Sequence, residues 1–305
     1  MAAVFAVIAV HIGVSVDAET AWWSMPWLIL CRWAVPFFFV AAGYYAWRAT
    51  SPLGTLAYIA KRLLPLLVFW TVVYAVLDEP PKDLWWVFVT GTPPAYHLWF
   101  LPSLASNLFL LAILNRFCTP AAAVLIGFLL YAGGLALGSY STPALGFDFR
   151  EIWDPRNGPL FGFVFVAIGQ WLQRDGLPPL RTGLLMFATG AALQAVEVIA
   201  LSAVFAVPAN GHDLLAGTLL MGVGAFIVFA RLDGWRPARA VGAAGYAAFG
   251  AFAIHVLVLD HLTAVVGYDP ANLPSTGALA LVVFVLSFTA SLVLSSVPLV
   301  RRIAG

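Results

Sequence analysis

Residues 30–48 read LCRWAVPFFFVAAGYYAWR, an apolar run interrupted by an arginine and a proline. A membrane-spanning helix needs about 20 mostly apolar residues, and this run, with the residues just before it, reaches that length. The whole chain has the same character, because 62% of its 305 residues are hydrophobic, only 10% are charged and the mean hydropathy is +0.94. Soluble domains carry about 25% charged residues. The stretch therefore predicts an integral membrane protein with a charged side chain, Arg32, inside a span.

Apolar runs separated by polar or proline-rich breaks predict about ten membrane helices. The predicted spans are 1–16, 26–47, 56–77, 97–116, 120–138, 158–174, 180–203, 213–231, 240–260 and 275–299. The first is interpreted as a membrane helix rather than a cleaved signal peptide, because it lacks a basic leading region and contains a histidine. We expect an all-α polytopic membrane protein, with about ten helices around an internal polar cavity, in one domain that covers residues 1–305.

The basic residues predict how these spans are oriented. With the N-terminus in the cytoplasm, eleven of the 15 basic residues fall in inner segments and three in outer loops. The inner ones are Arg48, Lys61, Arg62, Arg116, Arg174, Arg181, Arg231, Arg236, Arg239, Arg301 and Arg302, and the outer ones are Lys82, Arg150 and Arg156. This bias predicts that both termini are cytoplasmic. The net charge of +1 gives no sign of a nucleic-acid partner.

Ionisable side chains inside spans are costly and usually mark function. His11 lies six residues before Asp17 and Arg32 lies six residues after Pro26, so each is about 9 Å inside the outer end of its helix. The two helices are adjacent and antiparallel, which places both side chains at one depth. Because Pro36 has no N–H for the carbonyl of Arg32, the break requires protein or a water-filled cavity there. We therefore expect Arg32 and His11 to share a polar cavity.

Other interpretations of these residues stay open. Arg32 can snorkel to the membrane interface, and His11 alone can be a packing histidine. Glu197, midway along its span and near Gln194 on the same helix face, is interpreted as a protonated, hydrogen-bonded structural acid. A transporter or flippase that uses Arg32 and His11 as a substrate or proton site is the alternative function, and a non-catalytic scaffold is a third.

Four stretches carry a resemblance to a known family, and a fifth, 157–172, also resembles its middle span. They are AVIAVHIG (6–13), RWAVPFFFVAAGYY (32–45), YHLWFLPSL (96–104), NGPLFGFVFVAIGQWL (157–172) and GYAAFGAFAIHVLVLDHL (245–262). In this order they resemble the acyltransferase-three family of integral membrane acyltransferases, in its minimal stand-alone form. Two positions depart from the family pattern: Ala42 stands where a serine is common, and the pair Lys61–Arg62 replaces a spaced Arg-x-x-Arg.

The resemblance implies transfer of an acyl group, most often acetyl, from acyl-CoA to a sugar hydroxyl. The acceptor is then a glycan, a glycolipid or a glycosylated metabolite, the location is the bacterial cytoplasmic (inner) membrane, and membrane lipid surrounds the chain. A homodimer is left open, and no metal is expected. His11 suits the role of general base or transient acyl carrier, and Arg32 that of electrostatic stabiliser.

The remaining site predictions concern the two substrates. His97 and Trp99 are expected at the outer mouth of the fourth span, and the loop with Arg156 and Asn157 is expected to contact a hydrophilic acceptor. The predicted substrate-binding residues are His97, Trp99, Tyr44, Arg156, Asn157 and His255. The predicted binding residues for the phosphates of acyl-CoA are Arg48, Lys61 and Arg62. A role of these cations in topology alone, and of Trp99 in interfacial anchoring, stays open.

Overall fold

Helices make up the structure, a computed structural model, and confirm the predicted all-α polytopic membrane fold. It describes residues 1–14, 24–45, 51–77, 83–90, 96–205, 214–232, 245–266 and 273–297. The α-helices are α1 (Ala2–Val14), α2 (Ser24–Cys31), α3 (Ala34–Tyr45), α4 (Pro52–Tyr58), α5 (Leu64–Leu77), α6 (Leu84–Thr90), α7 (Phe100–Leu114), α8 (Pro120–Leu137), α9 (Ser141–Leu145), α10 (Pro159–Asp175), α11 (Leu180–Phe205), α12 (Ala216–Arg231), α13 (Ala248–Val266) and α14 (Leu273–Ser296). A π-helical turn at Ile59–Leu63 joins α4 to α5, and 3₁₀ turns occupy Tyr96–Trp99, Phe149–Glu151, Pro155–Asn157 and Gly245–Ala247.

Each of the ten predicted spans contains a helix in the structure. Within the described ranges, seven helical segments are long and apolar enough to cross a membrane: Pro26–Tyr45, Pro52–Leu77, His97–Leu114, Pro120–Leu137, Leu180–Phe205, Ala248–Val266 and Ser275–Ser296. The other three predicted spans correspond to the shorter helices α1 and α12 and to the 17-residue α10. Helices are the expected solution, because in lipid an isolated span has to satisfy its own backbone hydrogen bonds.

The helix α10 lies at the centre of the bundle, and every residue from 161 to 170 is buried. It packs against α3, α7 and α8. The backbones of α10 and α3 approach each other closely because glycines lie at their contact. A Cβ atom at Gly43 would collide with the carbonyl oxygen of Val166, and a Cβ atom at Gly169 would collide with the carbonyl oxygen of Val40. Small residues allow backbones to approach directly, as is common between membrane helices. This contact fixes the position of α3, whose first turn borders the candidate site.

We expect Gly43→Ala to lower the thermal unfolding temperature of the purified protein in detergent. The new Cβ would have to displace the backbone of α10, and overpacking of this kind costs about 1–3 kcal/mol. The matched control is Gly133→Ala in α8, where an added Cβ meets nothing nearer than Leu160 Cδ2 at 3.8 Å. Alanine also favours a helix over glycine, so the control should unfold at or above the wild-type temperature. Equal unfolding temperatures for the two variants would contradict the close contact.

Glu197 holds the first turn of α12, which explains an acidic residue in mid-span. Its Oε1 accepts a hydrogen bond from the backbone N–H of Ala216 at 2.9 Å, and its Oε2 accepts one from Gly217 at 2.8 Å. The hydroxyl of Tyr140 donates to the same carboxyl group at 2.5 Å. Burial, and then this hydrogen bond, raise the pKa of Tyr140 above its ordinary value, so the hydroxyl stays a donor. The backbone donors of a helix start need such acceptors, and Glu197 is a hydrogen-bonded structural acid.

Candidate active site

Three histidines from distant parts of the chain meet inside the bundle. His11 lies near the end of α1, His97 in the 3₁₀ turn before α7, and His255 in α13. The ring centroids of His11 and His255 are 5.0 Å apart, as are those of His97 and His255, and those of His11 and His97 are 6.3 Å apart. We call these three residues the histidine cluster. Residues that the sequence indicated one by one therefore form a single group of adjacent imidazoles.

Hydrogen bonds to one carbonyl of α13 hold the cluster in place. Nε2 of His97 donates to the carbonyl oxygen of Ala253 at 3.0 Å, and the hydroxyl of Tyr74 donates to the same oxygen at 2.8 Å. His97 and Tyr74 are both 1% exposed. His97 is thus enclosed in the bundle, whereas we expected it at the outer mouth of its span. Nothing in the sequence distinguishes Tyr74, because a tyrosine in an apolar span resembles any packing aromatic.

The ring of His255 has one nitrogen committed and one available. Nδ1 of His255 donates to the carbonyl oxygen of Phe252, within the same helix. The neutral ring then carries its lone pair on Nε2. This Nε2 atom is buried, and it has no hydrogen-bond partner among the described residues. His255 therefore presents an acceptor to an incoming O–H or N–H group beside His11.

A cavity of about 80 Å³ lies next to the cluster. His11, Cys31, Arg32, Trp99 and Arg156 contribute to its wall. Such a volume holds several water molecules or a small polar group. The predicted cavity shared by His11 and Arg32 is confirmed. Arg32 is only 8% exposed, which excludes the interpretation that it snorkels to the surface.

Arg32 reaches the cavity because the second span breaks at this residue. The helix α2 ends at Cys31 and α3 begins at Ala34, with Arg32 in the turn between them. A continuous helix would bond the carbonyl of Arg32 to an N–H four residues later, and Pro36 has none. Pro36 also contributes to the cavity wall. The break predicted from the proline is thus the feature that places the guanidinium in the cavity.

Arg156 joins the cavity from the loop before α10. The 3₁₀ turn Pro155–Asn157 is capped by Asp154, whose Oδ1 accepts from the Arg156 backbone N–H at 2.9 Å and whose Oδ2 accepts from Arg156 Nε at 2.8 Å. The guanidinium lies over the ring of Trp99, with Cζ at 5.5 Å from the ring centroid, a cation–π contact. The hydroxyl of Ser103 donates to the Arg156 carbonyl at 2.8 Å. Arg156 and Trp99 therefore form one rigid part of the wall.

The other predicted residues lie apart from the cavity or beside it. Tyr44 is near the far end of α3, about 18 Å along the helix from Arg32, where it packs against Tyr45 and Phe226. Lys61 and Arg62 lie exposed on the π-helical turn. Asn157 ends the turn that carries Arg156, half-buried, and Arg48 lies outside the described residues.

The described residues contain no group of three or more His, Cys, Asp or Glu side chains that could hold a metal ion. Within the histidine cluster, one nitrogen of His97 and one nitrogen of His255 are bonded to backbone carbonyls.

Comparison with known proteins gives one match. The chain matches the family model Acyl_transf_3, described as an acyltransferase domain, over residues 1–297. No curated protein and no solved structure shows a significant match to the chain. The family model covers nearly the whole bundle, including the three histidines and both cavity arginines. The chain therefore belongs to the Acyl_transf_3 family of acyltransferases.

Proposed function

We propose that this protein is a membrane O-acyltransferase that moves an acyl group, with acetyl expected, from acyl-CoA to a sugar hydroxyl. The acceptor is a glycan, a glycolipid or a glycosylated metabolite. The observation that supports this most is the cavity in which His11 and Arg32 meet. A group that accepts the hydroxyl proton and a permanent cation are the two requirements of acyl transfer to a hydroxyl. Family membership favours this activity over the transporter or flippase alternative.

In the direct route, His11 acts as general base. Its imidazole takes the proton of the acceptor hydroxyl while the hydroxyl oxygen attacks the thioester carbonyl carbon. The electron pair of the carbonyl moves to its oxygen, and the guanidinium of Arg32 stabilises that negative charge. The tetrahedral intermediate then expels the CoA thiolate, which takes the proton from the imidazolium. The products are the sugar ester and free CoA.

In the covalent route, His11 attacks the thioester itself and carries the acyl group before the hydroxyl removes it. Both routes use the same cavity and the same stabilising cation. They differ in one measurable respect, because only the covalent route releases stoichiometric CoA in the absence of an acceptor.

The remaining cavity residues suit recognition of a sugar. Trp99 offers an aromatic face, and Arg156 offers a polar group to hydroxyls near the reacting one. His255 does not line the cavity but lies beside His11, with its ring centroid 5.0 Å away. The available Nε2 of His255 is an acceptor for the reacting or a neighbouring hydroxyl. Because Asp154 balances the charge of Arg156, this wall can bind a neutral sugar without an additional counter-ion.

The test is transfer by purified protein in proteoliposomes. We expect radiolabel from acetyl-CoA to appear in an alkali-labile ester of a glycolipid extract from bacterial membranes, and to be absent from protein-free vesicles. Uptake of a labelled sugar or ion without ester formation would instead support a transporter. Accessibility labelling of the termini in cells tests the proposed location in the inner membrane, with both termini in the cytoplasm.

A further inference from the structure

A second pocket, larger than the cavity beside His11, lies toward the C-terminal ends of α3 and α7. It encloses about 340 Å³ between α3, α4, α7 and α10. Its lining includes Ala42, Thr55, Tyr58, Leu108, Asn115 and Gln170. Most of the wall is apolar, so an extended and largely uncharged chain suits it better than a sugar. Among the residues that the structure describes, none that the sequence predicted for either substrate lines this pocket.

The pocket contains one buried polar atom that lacks a partner. Gln170 is 5% exposed, and within the described part of the chain its Oε1 atom accepts no hydrogen bond. Buried amide oxygens are nearly always bonded, because leaving one without a donor is unfavourable. An occupant that brings an N–H group would satisfy it. An amide in the apolar run 159–172 was the sequence signal for this site.

Positive charge lies at one end of the pocket. Lys61 and Arg62 follow the lining residue Tyr58 within about one helical turn, and Arg116 follows the lining residue Asn115 directly. All three basic residues are exposed. They lie at the end of the bundle that the charge bias predicts to be cytoplasmic. An occupant with an anionic head at this end and a less polar chain inside therefore fits the pocket.

The pocket and the small cavity beside His11 both border α3. Pro36 borders the small cavity and Ala42 borders the large pocket. These two residues are about 9 Å apart along α3, at 1.5 Å rise per residue. Phe39 lies midway and is fully buried, with its ring against those of Trp99 and Phe161. A distance of this size along α3 is within the reach of a flexible chain that extends from the pocket toward His11.

We propose that this pocket binds the phosphopantetheine arm of the acyl donor, and that Gln170 Oε1 accepts an amide N–H of that arm. Phosphopantetheine combines two amide groups with a flexible chain, a terminal thioester and an anionic phosphate, which is the chemistry that the pocket and its charged end require. The proposal rests on the proposed function in its choice of acyl-CoA as donor. It adds Gln170 and a position for the arm. Lys61 and Arg62 were predicted only as binding residues for the phosphates.

Binding and turnover separate this proposal from the proposed function. With purified protein in nanodiscs, we expect Gln170→Leu to weaken binding of CoA and of phosphopantetheine by about tenfold, and to leave binding of 3′,5′-ADP unchanged. In turnover, KM for acetyl-CoA should rise by a similar factor with kcat at saturation largely kept. The matched control is Gln173→Leu, one turn later on α10 and outside the pocket, which should match the wild type.

A second variant covers the case in which Gln170→Leu does not fold. Leu108→Trp fills the pocket from α7 and should abolish CoA binding while the unfolding temperature stays near that of the wild type. Unchanged affinity for phosphopantetheine in either folded variant overturns the pocket assignment and leaves the acyltransferase proposal standing. Weakened CoA binding by these variants in a protein that forms no ester would support the pocket and contradict the proposed function.

Discussion

Replacing His11 by alanine is expected to lower the rate of acyl transfer by about a hundred- to ten-thousand-fold. His11 is the histidine of the cluster that lines the cavity with Arg32, so it is the imidazole placed to meet both substrates. Without it, no group in the proposed direct route takes the hydroxyl proton, and no nucleophile remains for the covalent route. The measurement is initial rate of ester formation in proteoliposomes, with the unfolding temperature as a check of the fold.

The control for His11→Ala is His261→Ala. His261 lies near the end of α13, exposed, with Nδ1 bonded to its own helix at the carbonyl of Leu257, at 2.8 Å. This variant should transfer acyl groups at the wild-type rate. If His11→Ala also did so, the reaction centre would have to lie elsewhere in the bundle. A stoichiometric burst of CoA from wild-type protein without acceptor, lost in His11→Ala, would identify the covalent route.

Replacing Arg32 by methionine is expected to lower kcat by about a hundred- to a thousand-fold, the usual cost of removing one stabilising donor from a developing oxyanion. Arg32→Lys should recover only part of this, because a lysine ammonium lacks the planar fork of a guanidinium. Removing one partner of a buried polar contact can also destabilise the fold, so the unfolding temperature is measured beside the rate. Rates and unfolding temperatures of the two variants, measured together, distinguish catalysis from folding.

Arg150→Met is the matched control for Arg32→Met. Arg150 is paired with Asp148 in the loop before α10 and does not line the cavity. We expect transfer by this variant at the wild-type rate. Full activity of Arg32→Met would mean that the oxyanion is stabilised by another group, and the role given to the broken second span would be wrong.

The sequence predicted the pairing of His11 with Arg32 because the two residues lie on consecutive helices. Consecutive antiparallel helices meet at the same membrane face, so the depth of each residue can be counted from that face. This count was sufficient to predict that the two side chains lie at one level. Pro36 added the local reason for a break at Arg32, and the structure has the break at that turn. Both inferences needed only local geometry.

The same reasoning failed to place residues that depend on contacts between distant helices. His97 and His255 are 158 positions apart, and nothing in their spans indicates that they meet at 5.0 Å. Glu197 was interpreted as a hydrogen-bonded structural acid, but its donors at the start of α12 could not be named without the tertiary structure. Gln170 was an amide in an apolar run whose meaning appeared only with the pocket around it.

The sequence by itself determined that the chain is a bundle of membrane helices, where those helices lie and which two of its charged or titratable residues meet at the second span. It did so because each span satisfies its own backbone in lipid, which makes length and hydropathy sufficient. Only the tertiary structure decided which spans surround α10, and hence the histidine cluster and the pocket beside Gln170. Lipid-exposed faces and helix-packed faces are equally apolar here, so close contacts such as Gly43 with Val166, rather than hydropathy, determine which helices become neighbours.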